Sequence, residues 1–217
     1  MGETVEHLRH IVVEGPIGVG KTSLVNMLAE RFSARGIFEQ AAENPFLPKF
    51  YNDQRTYAFQ TQLFFLIQRF HQQRALIQQD LFNRSTVCDY MFAKDKIFAY
   101  LTLNGDELRL YEQIFDLLAP ETVRPDLVLY LVAEPRVLME RIRRRNIEYE
   151  LPITAKYLSD LTAAYSRFFF AYDDSPLLIV NTNDIDFVNN PDDFAALVDQ
   201  ILTHRKGTKQ FIPLGSR

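Results

Sequence analysis

The feature that most constrains this chain is a glycine-rich run that separates a short apolar stretch from an amphipathic one. The run reads Gly15-Pro-Ile-Gly-Val-Gly-Lys-Thr22. The apolar residues of Leu8 to Glu14 predict a buried strand, and the spacing of apolar residues from Thr22 to Ser33 predicts a helix. Glycines at these positions let the backbone curl until successive N–H groups face phosphate oxygens. The sequence therefore predicts a phosphate-binding P-loop between the first strand and the first helix.

The P-loop residues predict the contacts of a nucleoside triphosphate. Lys21 is expected to reach the β- and γ-phosphates, and Thr22 to hold Mg²⁺ through its hydroxyl. The helix that begins near Lys21 adds the positive end of its dipole. ATP and Mg²⁺ are therefore the expected cofactors. The residues expected to bind them are Gly15, Pro16, Ile17, Gly18, Val19, Gly20, Lys21, Thr22 and Ser23.

Short β-rich runs alternate with longer helical patterns, which predicts an α/β fold with a parallel sheet of about five strands flanked by helices. Strands are expected at 8–14, 86–89, 126–132 and 176–181, with another one before Glu43. Helices are expected at 22–33, 53–82, 93–104, 106–119, 135–145, 154–172 and 191–204. The 217 residues suit a single domain, 1–204, followed by a loosely held basic tail, 205–217.

Composition narrows the class of protein. The formal net charge of -4 argues against a general nucleic-acid binder, which is normally basic. No stretch approaches the roughly 18 apolar residues of a membrane span, and Met1 to His10 holds no apolar signal core. The single cysteine, Cys88, excludes an intramolecular disulfide and suits a reducing compartment. We therefore expect a cytoplasmic protein that binds neither membranes nor nucleic acid.

Two polar residues are candidates for contacts with a second substrate. Glu43, in Glu43-Asn-Pro-Phe46, lies where the second strand of a parallel sheet would end, and this edge faces the ligand crevice. It can accept a hydroxyl proton during phosphoryl transfer, or be a solvated glutamate beside an Asn-Pro turn. Gln60 lies on a largely apolar helix, where it either fills a core gap or bonds the amide edge of a ligand.

Asp89 closes a predicted buried strand, which is where a Mg²⁺ ligand or its water partner would lie beside a P-loop. It can also cap the following helix, and the two roles are compatible. Further along, four of the five residues 141–145 are arginines, and Arg141 and Arg145 share one helix face. They predict a flap, about 141–152, that closes over transferring phosphates, or else a basic helix end that complements the helix dipole.

The P-loop alone does not separate a switch GTPase, a motor ATPase and a small-molecule kinase. The guanine-reading motif Asn-Lys-x-Asp is absent from the sequence, because Asn181-Thr-Asn-Asp184 lacks the lysine. A helicase or motor needs a longer chain. The size and the polar clusters favour a kinase of small substrates.

Taken in order, these motifs resemble the deoxynucleoside kinase family, in particular its bacterial deoxyadenosine/deoxyguanosine kinase branch. The resemblance runs from Ile11 to about Ile201 and rests on the P-loop, Glu-Asn-Pro-Phe-Leu, Phe-Gln-Thr, Asp-Tyr and the arginine-rich lid. It implies the P-loop kinase fold with an arginine-bearing lid. It also implies a homodimer packed through helices, for which 53–82 and 93–119 offer apolar faces.

The resemblance implies a role for each site residue. Glu43 would be the general base at the nucleoside 5′-hydroxyl, and Tyr51 and Glu150 would hold the deoxyribose 3′-hydroxyl. The other contacts fall on residues near the base, the metal and the phosphates. They are Gln60 and Asp95 for the base, Asp89 near Mg²⁺, and Arg141 and Arg145 with Lys21 for the phosphates.

The chain departs from the family pattern at two positions. Tyr90 follows Asp89 where many members have arginine, and Lys94, one turn on, is the candidate replacement cation. The lid has Ile147 where its third arginine commonly lies, so that Arg143 or Arg144 would have to substitute. Asn146 replaces the lid glycine and can still adopt a left-handed conformation.

The expected reaction is transfer of the γ-phosphoryl group of ATP to the 5′-hydroxyl of a deoxynucleoside. Deoxyadenosine or deoxyguanosine is the expected acceptor, with deoxycytidine close behind. A thymidylate-type kinase is the first alternative, although the missing arginine after Asp89 argues against a phosphorylated acceptor. The second is an ATP-sensing module that transfers no phosphoryl group.

Overall fold

Six strands form one sheet in the described part of the chain. The computed structural model describes residues 8–79, 85–119, 122–183 and 185–212. The strands are β1 (His10–Glu14), β2 (Arg35–Ile37), β3 (Thr86–Cys88), β4 (Leu127–Val132), β5 (Leu177–Asn181) and β6 (Thr208–Phe211). Their order is β2-β3-β1-β4-β5-β6, and every neighbouring pair is parallel. The α/β fold class is confirmed.

Eight α-helices connect and cover the strands in the described ranges. They are α1 (Lys21–Arg31), α2 (Leu47–Asn52), α3 (Gln54–Gln79), α4 (Lys94–Thr102), α5 (Gly105–Leu118), α6 (Pro135–Arg145), α7 (Ala155–Phe170) and α8 (Pro191–Thr203). Within these ranges no helix combines the length and the apolar character needed to cross a membrane.

The core lies between the sheet and the helices on its two faces. Every residue of β1 and the first five of β4 are buried, as expected for parallel strands covered on both sides. Their Val, Ile and Leu side chains suit a pleated, buried surface. These two strands also pair with each other, so the most apolar part of the chain forms the centre of the sheet.

The strand order places the phosphate loop at a crevice. The chain passes from β1 to β2 and β3 on one side of the sheet, and then crosses to β4 on the other side of β1. In such sheets ligands bind outside the carboxyl ends of the strands, at the point where the order reverses. The carboxyl end of β1 is Glu14, directly before the P-loop. The topology therefore brings the ends of β2, β3 and β1 together around that loop.

Two expectations about the sheet need correction. It has six strands in the described residues, not about five, and the sixth comes from the segment expected to be a loosely held tail. Residues 208–211 pair in parallel with β5; the first three are exposed and Phe211 is partly buried. A polar edge strand of this kind has no periodic apolar pattern, so the sequence does not reveal it. Residues 213–217 lie outside the described part.

The long predicted helix, 53–82, corresponds to the single helix α3. A separate short helix, α2, precedes α3, and Asp53 lies between them in a non-helical conformation. The α3 helix runs to Gln79, and residues 80–82 of the prediction lie outside the described residues.

Leu129→Ala in β4 is expected to lower the free energy of unfolding by about 2–5 kcal/mol, because it leaves a cavity at a fully buried position. Leu151→Ala is the matched control, since that side chain is 57% exposed and should change stability by less than about 0.5 kcal/mol. Urea unfolding measures both. Equal losses would contradict the position of the core.

Candidate active site

The P-loop depends on glycines that approach neighbouring backbone. Gly15 has φ 147° and Gly18 has φ 82°, both in the region that L side chains rarely adopt. A Cβ on Gly15 would lie 2.5 Å from the Leu131 carbonyl oxygen of β4. A Cβ on Gly18 would lie 2.9 Å from the Leu138 carbonyl oxygen of α6. The loop is therefore held closely against β4 and α6, with α1 beginning directly after Gly20.

Lys21 lies folded onto the loop. Its Nζ donates to the carbonyl oxygens of Gly15, at 2.7 Å, and Pro16, at 3.2 Å. Burial and the nearby Lys94 ammonium together lower the pKa of Lys21 to about 8, against the opposing effect of Glu14. A bound polyphosphate would supply the counter-charge that this lysine lacks. The position fits the predicted role of Lys21.

Thr22 and Asp89 meet as predicted for a shared metal. Thr22 Oγ1 donates to Asp89 Oδ2 at 3.0 Å, across the gap between α1 and the end of β3. The described residues contain no cluster of three or more His, Cys, Asp or Glu that could hold a metal. A hydroxyl and one carboxylate suit Mg²⁺, which commonly takes its remaining ligands from phosphates and water. The side chains present therefore fit a magnesium ion bound together with a triphosphate.

Glu39 is a carboxylate of this edge that the sequence analysis did not single out. It lies two residues past β2, and its backbone N–H donates to Asp89 Oδ1 at 2.7 Å. Its side chain is 19% exposed and accepts from Lys94 Nζ at 3.0 Å and from Arg69 Nε at 2.8 Å. Although burial acts in the opposite sense, these two cations hold the pKa of Glu39 well below its usual range. Glu39 is therefore a carboxylate held by two cations directly beside Asp89.

Lys94 and Asp95 are buried in the first turn of α4 and are tied to Glu39. Lys94 is 2% exposed and contacts Glu39 directly. Asp95 is completely buried and pairs through Oδ1 with Arg69 Nη1. Burial raises the pKa of Asp95 to about 7, while Arg69 and Lys94 oppose that rise. The structure brings both predicted residues together, with Arg69 as a partner that the sequence analysis missed.

Glu43 and Gln60 lie elsewhere than their expected roles require. Glu43 ends a short 3₁₀ helix, is exposed, and accepts from Gln68 Nε2 at 3.0 Å. Gln60 is exposed on α3, whereas Gln62 is only 2% exposed. Arg69 is the residue of α3 that contacts this cluster, and the buried Gln62, seven positions earlier, lies on the same helix face.

Tyr51 lies close to Glu150, which belongs to the predicted lid segment. Burial raises the pKa of the Tyr51 hydroxyl, and the neighbouring Tyr157 and Glu150 raise it further. Glu150, in the 3₁₀ helix Glu148–Glu150, accepts from Arg145 Nη2 through both oxygens, at 2.7 and 2.6 Å. The predicted lid arginine is thus paired with the predicted sugar-binding carboxylate.

Arg141 forms one wall of a cavity beside the P-loop. Its guanidinium donates to the Val19 carbonyl oxygen at 3.3 Å and to the Thr182 carbonyl oxygen at 2.7 Å. The cavity has a volume of about 720 Å³ and lies between the loop, α6 and a segment made of residues 183 and 185–189. Phe187 of that segment lies against Gly20. This space suits the nucleoside part of a triphosphate whose phosphates lie on the loop.

The end of α6 confirms one detail of the lid. Asn146 follows the helix with φ 52° and ψ 43°, the left-handed conformation expected where the family pattern has glycine. Ile147 then continues in an extended conformation. Arg144 and Arg145 both line the cavity beside Arg141. Arg144 is therefore a third arginine available near the expected phosphates, in addition to the predicted Arg141 and Arg145.

Glu39, Gln62 and Arg69 are not among the predicted site residues, and the sequence signals that could identify them differ in strength. Glu39 lies two residues after β2, 35–37. A carboxylate after the second strand is therefore the right signal, but it applies to Glu39 and not to Glu43. Gln62 and Arg69 are separated by two helical turns on an otherwise apolar stretch, which marks a polar stripe. Only the structure shows that Arg69 of this stripe contacts Glu39 and Asp95.

Comparisons with known proteins identify the family. A model of the deoxynucleoside kinase family matches residues 11–205. The deoxyguanosine kinase of Bacillus subtilis is 33% identical over 196 residues, which cover 88% of this chain and 95% of that protein. The deoxyadenosine/deoxycytidine kinase of the same organism is 29% identical over 199 residues, which cover 88% of this chain and 90% of that one.

Solved structures share the fold. A deoxyadenosine kinase from M. mycoides with bound dATP matches with a TM-score of 0.75 and 20% identity, over 88% of this chain and 98% of that one. The same kinase with bound dCTP gives a TM-score of 0.74 and 19% identity. At this identity the likeness concerns the arrangement of strands and helices.

Lys21→Met is expected to weaken binding of MgATP by roughly ten- to a hundredfold, because a hydrogen bond to a charged group contributes about 1.5–3 kcal/mol. Isothermal titration calorimetry measures the affinity. Lys49→Met is the matched control, since Lys49 is exposed on α2 and should leave the affinity unchanged. Equal affinities of the two variants would contradict the phosphate site.

Proposed function

The chain belongs to the deoxynucleoside kinase family, and we propose that it transfers the γ-phosphoryl group of ATP to the 5′-hydroxyl of a deoxynucleoside. The observation that carries the proposal is the chain of contacts from the P-loop to a second-substrate carboxylate. Thr22 contacts Asp89, and Asp89 accepts from the backbone of Glu39. A phosphate site and a hydroxyl-binding carboxylate thus adjoin at the same edge of the sheet.

The donor half of the site is the P-loop with the cavity beside it. Backbone N–H groups of Gly18 to Thr22 would surround the phosphates, and Lys21 would exchange its carbonyl partners for phosphate oxygens. The adenosine part would occupy the space between Arg141 and Phe187. Mg²⁺, held by Thr22 and Asp89, would neutralise charge on the transferring group when bound. Arg141, Arg144 and Arg145 would add fixed positive charge as the lid closes.

The acceptor half is centred on Glu39, which takes the role first expected of Glu43. The 5′-oxygen forms a bond to the γ-phosphorus, the bond from that phosphorus to the β–γ bridging oxygen breaks, and the hydroxyl proton passes to Glu39. ADP and the nucleoside monophosphate result. Because the transition state of phosphoryl transfer is loose, orientation of the hydroxyl matters more than the strength of the base. The low pKa of Glu39 is compatible with that role.

Residues around Glu39 suit the rest of a deoxynucleoside. Tyr51 and Glu150 lie together and would hold the 3′-hydroxyl, with Glu150 released from Arg145 as the lid closes. Gln62, in place of Gln60, and Asp95 would contact the base. The relatives named as deoxyguanosine and deoxyadenosine/deoxycytidine kinases favour a base with an exocyclic amine, and a purine first.

We also propose a homodimer that acts in the cytoplasm in nucleotide salvage. Exposed apolar side chains lie on two helices that contact each other, with Ile67 and Ile77 on α3 and Leu110 and Leu117 on α5. A second copy would cover them. The buried, unpaired thiol of Cys88 suits a reducing compartment.

A panel of acceptors tests the reaction against its alternatives. With ATP as donor, deoxyadenosine, deoxyguanosine and deoxycytidine are expected to give ADP and a monophosphate, whereas deoxynucleoside monophosphates are not. ADP release is measured by a coupled assay. Phosphorylation of monophosphates alone would favour a thymidylate-type kinase, and ATP binding without any ADP release would favour a sensing module.

Glu39→Gln is expected to lower kcat by roughly a hundredfold to ten-thousandfold, the usual contribution of a positioned acid or base. Glu43→Gln is the matched control, because the exposed Glu43 contacts Gln68 and not the reacting groups. Its kcat should remain within about twofold of the wild type. Steady-state kinetics with saturating ATP and deoxynucleoside measures both, and the reverse result would restore Glu43 as the base.

A further inference from the structure

Three charged side chains, Glu39, Arg69 and Asp95, form a continuous line from the proposed reacting carboxylate to the proposed base-contacting one, and the last two are buried. Arg69 donates to Glu39 Oε1 from Nε, at 2.8 Å, and also from Nη2. From Nη1 it donates to Asp95 Oδ1. The side chain of Arg69 is 3% exposed and that of Asp95 is completely buried. One guanidinium therefore binds both carboxylates at the same time.

The geometry of arginine makes this bridge rigid. A guanidinium is planar and holds its N–H groups in a fixed fork, so that displacing one edge turns the other. The Arg69 guanidinium also lies over the ring of Phe65, with 4.8 Å between its central carbon and the ring centroid. It cannot swing away from Glu39 without losing this contact and exposing a buried charge. A shift of Asp95 is therefore transmitted to the orientation of Glu39.

A second connection closes the line into a ring. Lys94, the residue before Asp95 in the first turn of α4, donates to Glu39 Oε2 at 3.0 Å. The two oxygens of Glu39 are thus held by different cations, one from α3 and one from α4. Movement of the start of α4 changes both contacts together.

Asp95 retains an unused acceptor. Its Oδ2 is buried and has no hydrogen-bond partner among the described residues, and the same is true of the Tyr111 hydroxyl. Burial raises the pKa of Tyr111, and the Asp95 carboxylate raises it further, so the two groups lie within electrostatic reach. A buried carboxylate oxygen without a donor costs free energy that a ligand N–H would recover.

We propose that Arg69 is a positioning residue that couples the base to the reaction. A base that donates an N–H to Asp95 steadies Asp95 and, through Arg69, the orientation of Glu39. Recognition of the amine then raises the rate of phosphoryl transfer itself, and not only the affinity for the nucleoside. This inference rests on the proposed function and extends it to the way in which the acceptor is selected.

The test compares two acceptors that differ only in the amine. They are 2′-deoxyadenosine and purine 2′-deoxyriboside, which lacks the 6-amino group. The rate of phosphoryl transfer is measured in single turnovers at saturating nucleoside, so that product release does not contribute. In the wild type we expect the amine to raise this rate about tenfold, which corresponds to about 1.4 kcal/mol.

Arg69→Gln is expected to reduce the rate ratio of the two acceptors to about one, in addition to any common loss of rate. Arg74→Gln is the matched control, because Arg74 lies on the same helix above Phe70 but is exposed, and it should keep the tenfold ratio. Asp95→Asn, which leaves Arg69 bound to Glu39, should also abolish the ratio. Unfolding temperatures verify that each variant is folded.

Several results would overturn the coupling. A tenfold ratio that persists in Arg69→Gln would reduce Arg69 to a counter-ion. If Arg69→Gln does not fold, the wild type alone decides the question. A 6-amino group that lowers the half-saturating nucleoside concentration but leaves the single-turnover rate unchanged would show that recognition contributes to binding alone. Failure of the wild type to phosphorylate any deoxynucleoside would instead overturn the proposed function, and this inference with it.

Discussion

The buried carboxylate of Glu14 joins the parts of the site to one another. It ends the central strand, and its oxygens accept from Gly15 N–H at 3.1 Å, from Met91 N–H at 2.8 Å and from the Tyr165 hydroxyl at 3.3 Å. These donors belong to the P-loop, the turn after β3 and α7. Burial raises the pKa of Glu14, while Lys94, Lys21 and the two N–H donors oppose that rise. The phosphate loop and the segment that carries Lys94 and Asp95 are therefore positioned by the same side chain.

Charge balance explains why so many ionisable groups tolerate burial at this edge. Removing a single partner from a buried ion pair leaves an uncompensated charge, which is strongly destabilising. Glu39 pairs with both Lys94 and Arg69, and Arg69 also pairs with Asp95. Both of these carboxylates therefore contact at least one cation. Burial and the nearby Lys94 lower the pKa of Lys21. The hydrogen-bond partners of Lys21 are uncharged carbonyl oxygens, so it has no paired carboxylate. The imbalance is therefore located where a triphosphate would bind.

The sequence predicts the P-loop, the central strands and most helix limits well, because these depend on local periodicity and glycine spacing. It does not predict which of two similar residues reaches the site. Glu39 and Glu43 both follow β2, and only the end of that strand at Ile37 decides that Glu39 meets Asp89. Gln60 and Gln62 differ by about 200° around α3, so that one is exposed and the other buried. The polar edge strand β6 leaves no such signal at all.

The position after Asp89 shows what a motif comparison measures. Tyr90 is buried where the family pattern commonly has a cation, and a cation that contacts Glu39 is instead Lys94, the first residue of α4. Glu39 Oε2 needs a cation as its partner. A lysine or arginine meets this need at any backbone position from which its charged group reaches that oxygen. A lysine on a helix also ties Glu39 to that helix, which the adjacent residue after β3 would not do. The substitution therefore preserves the charge of the site while it changes which element controls the orientation of Glu39.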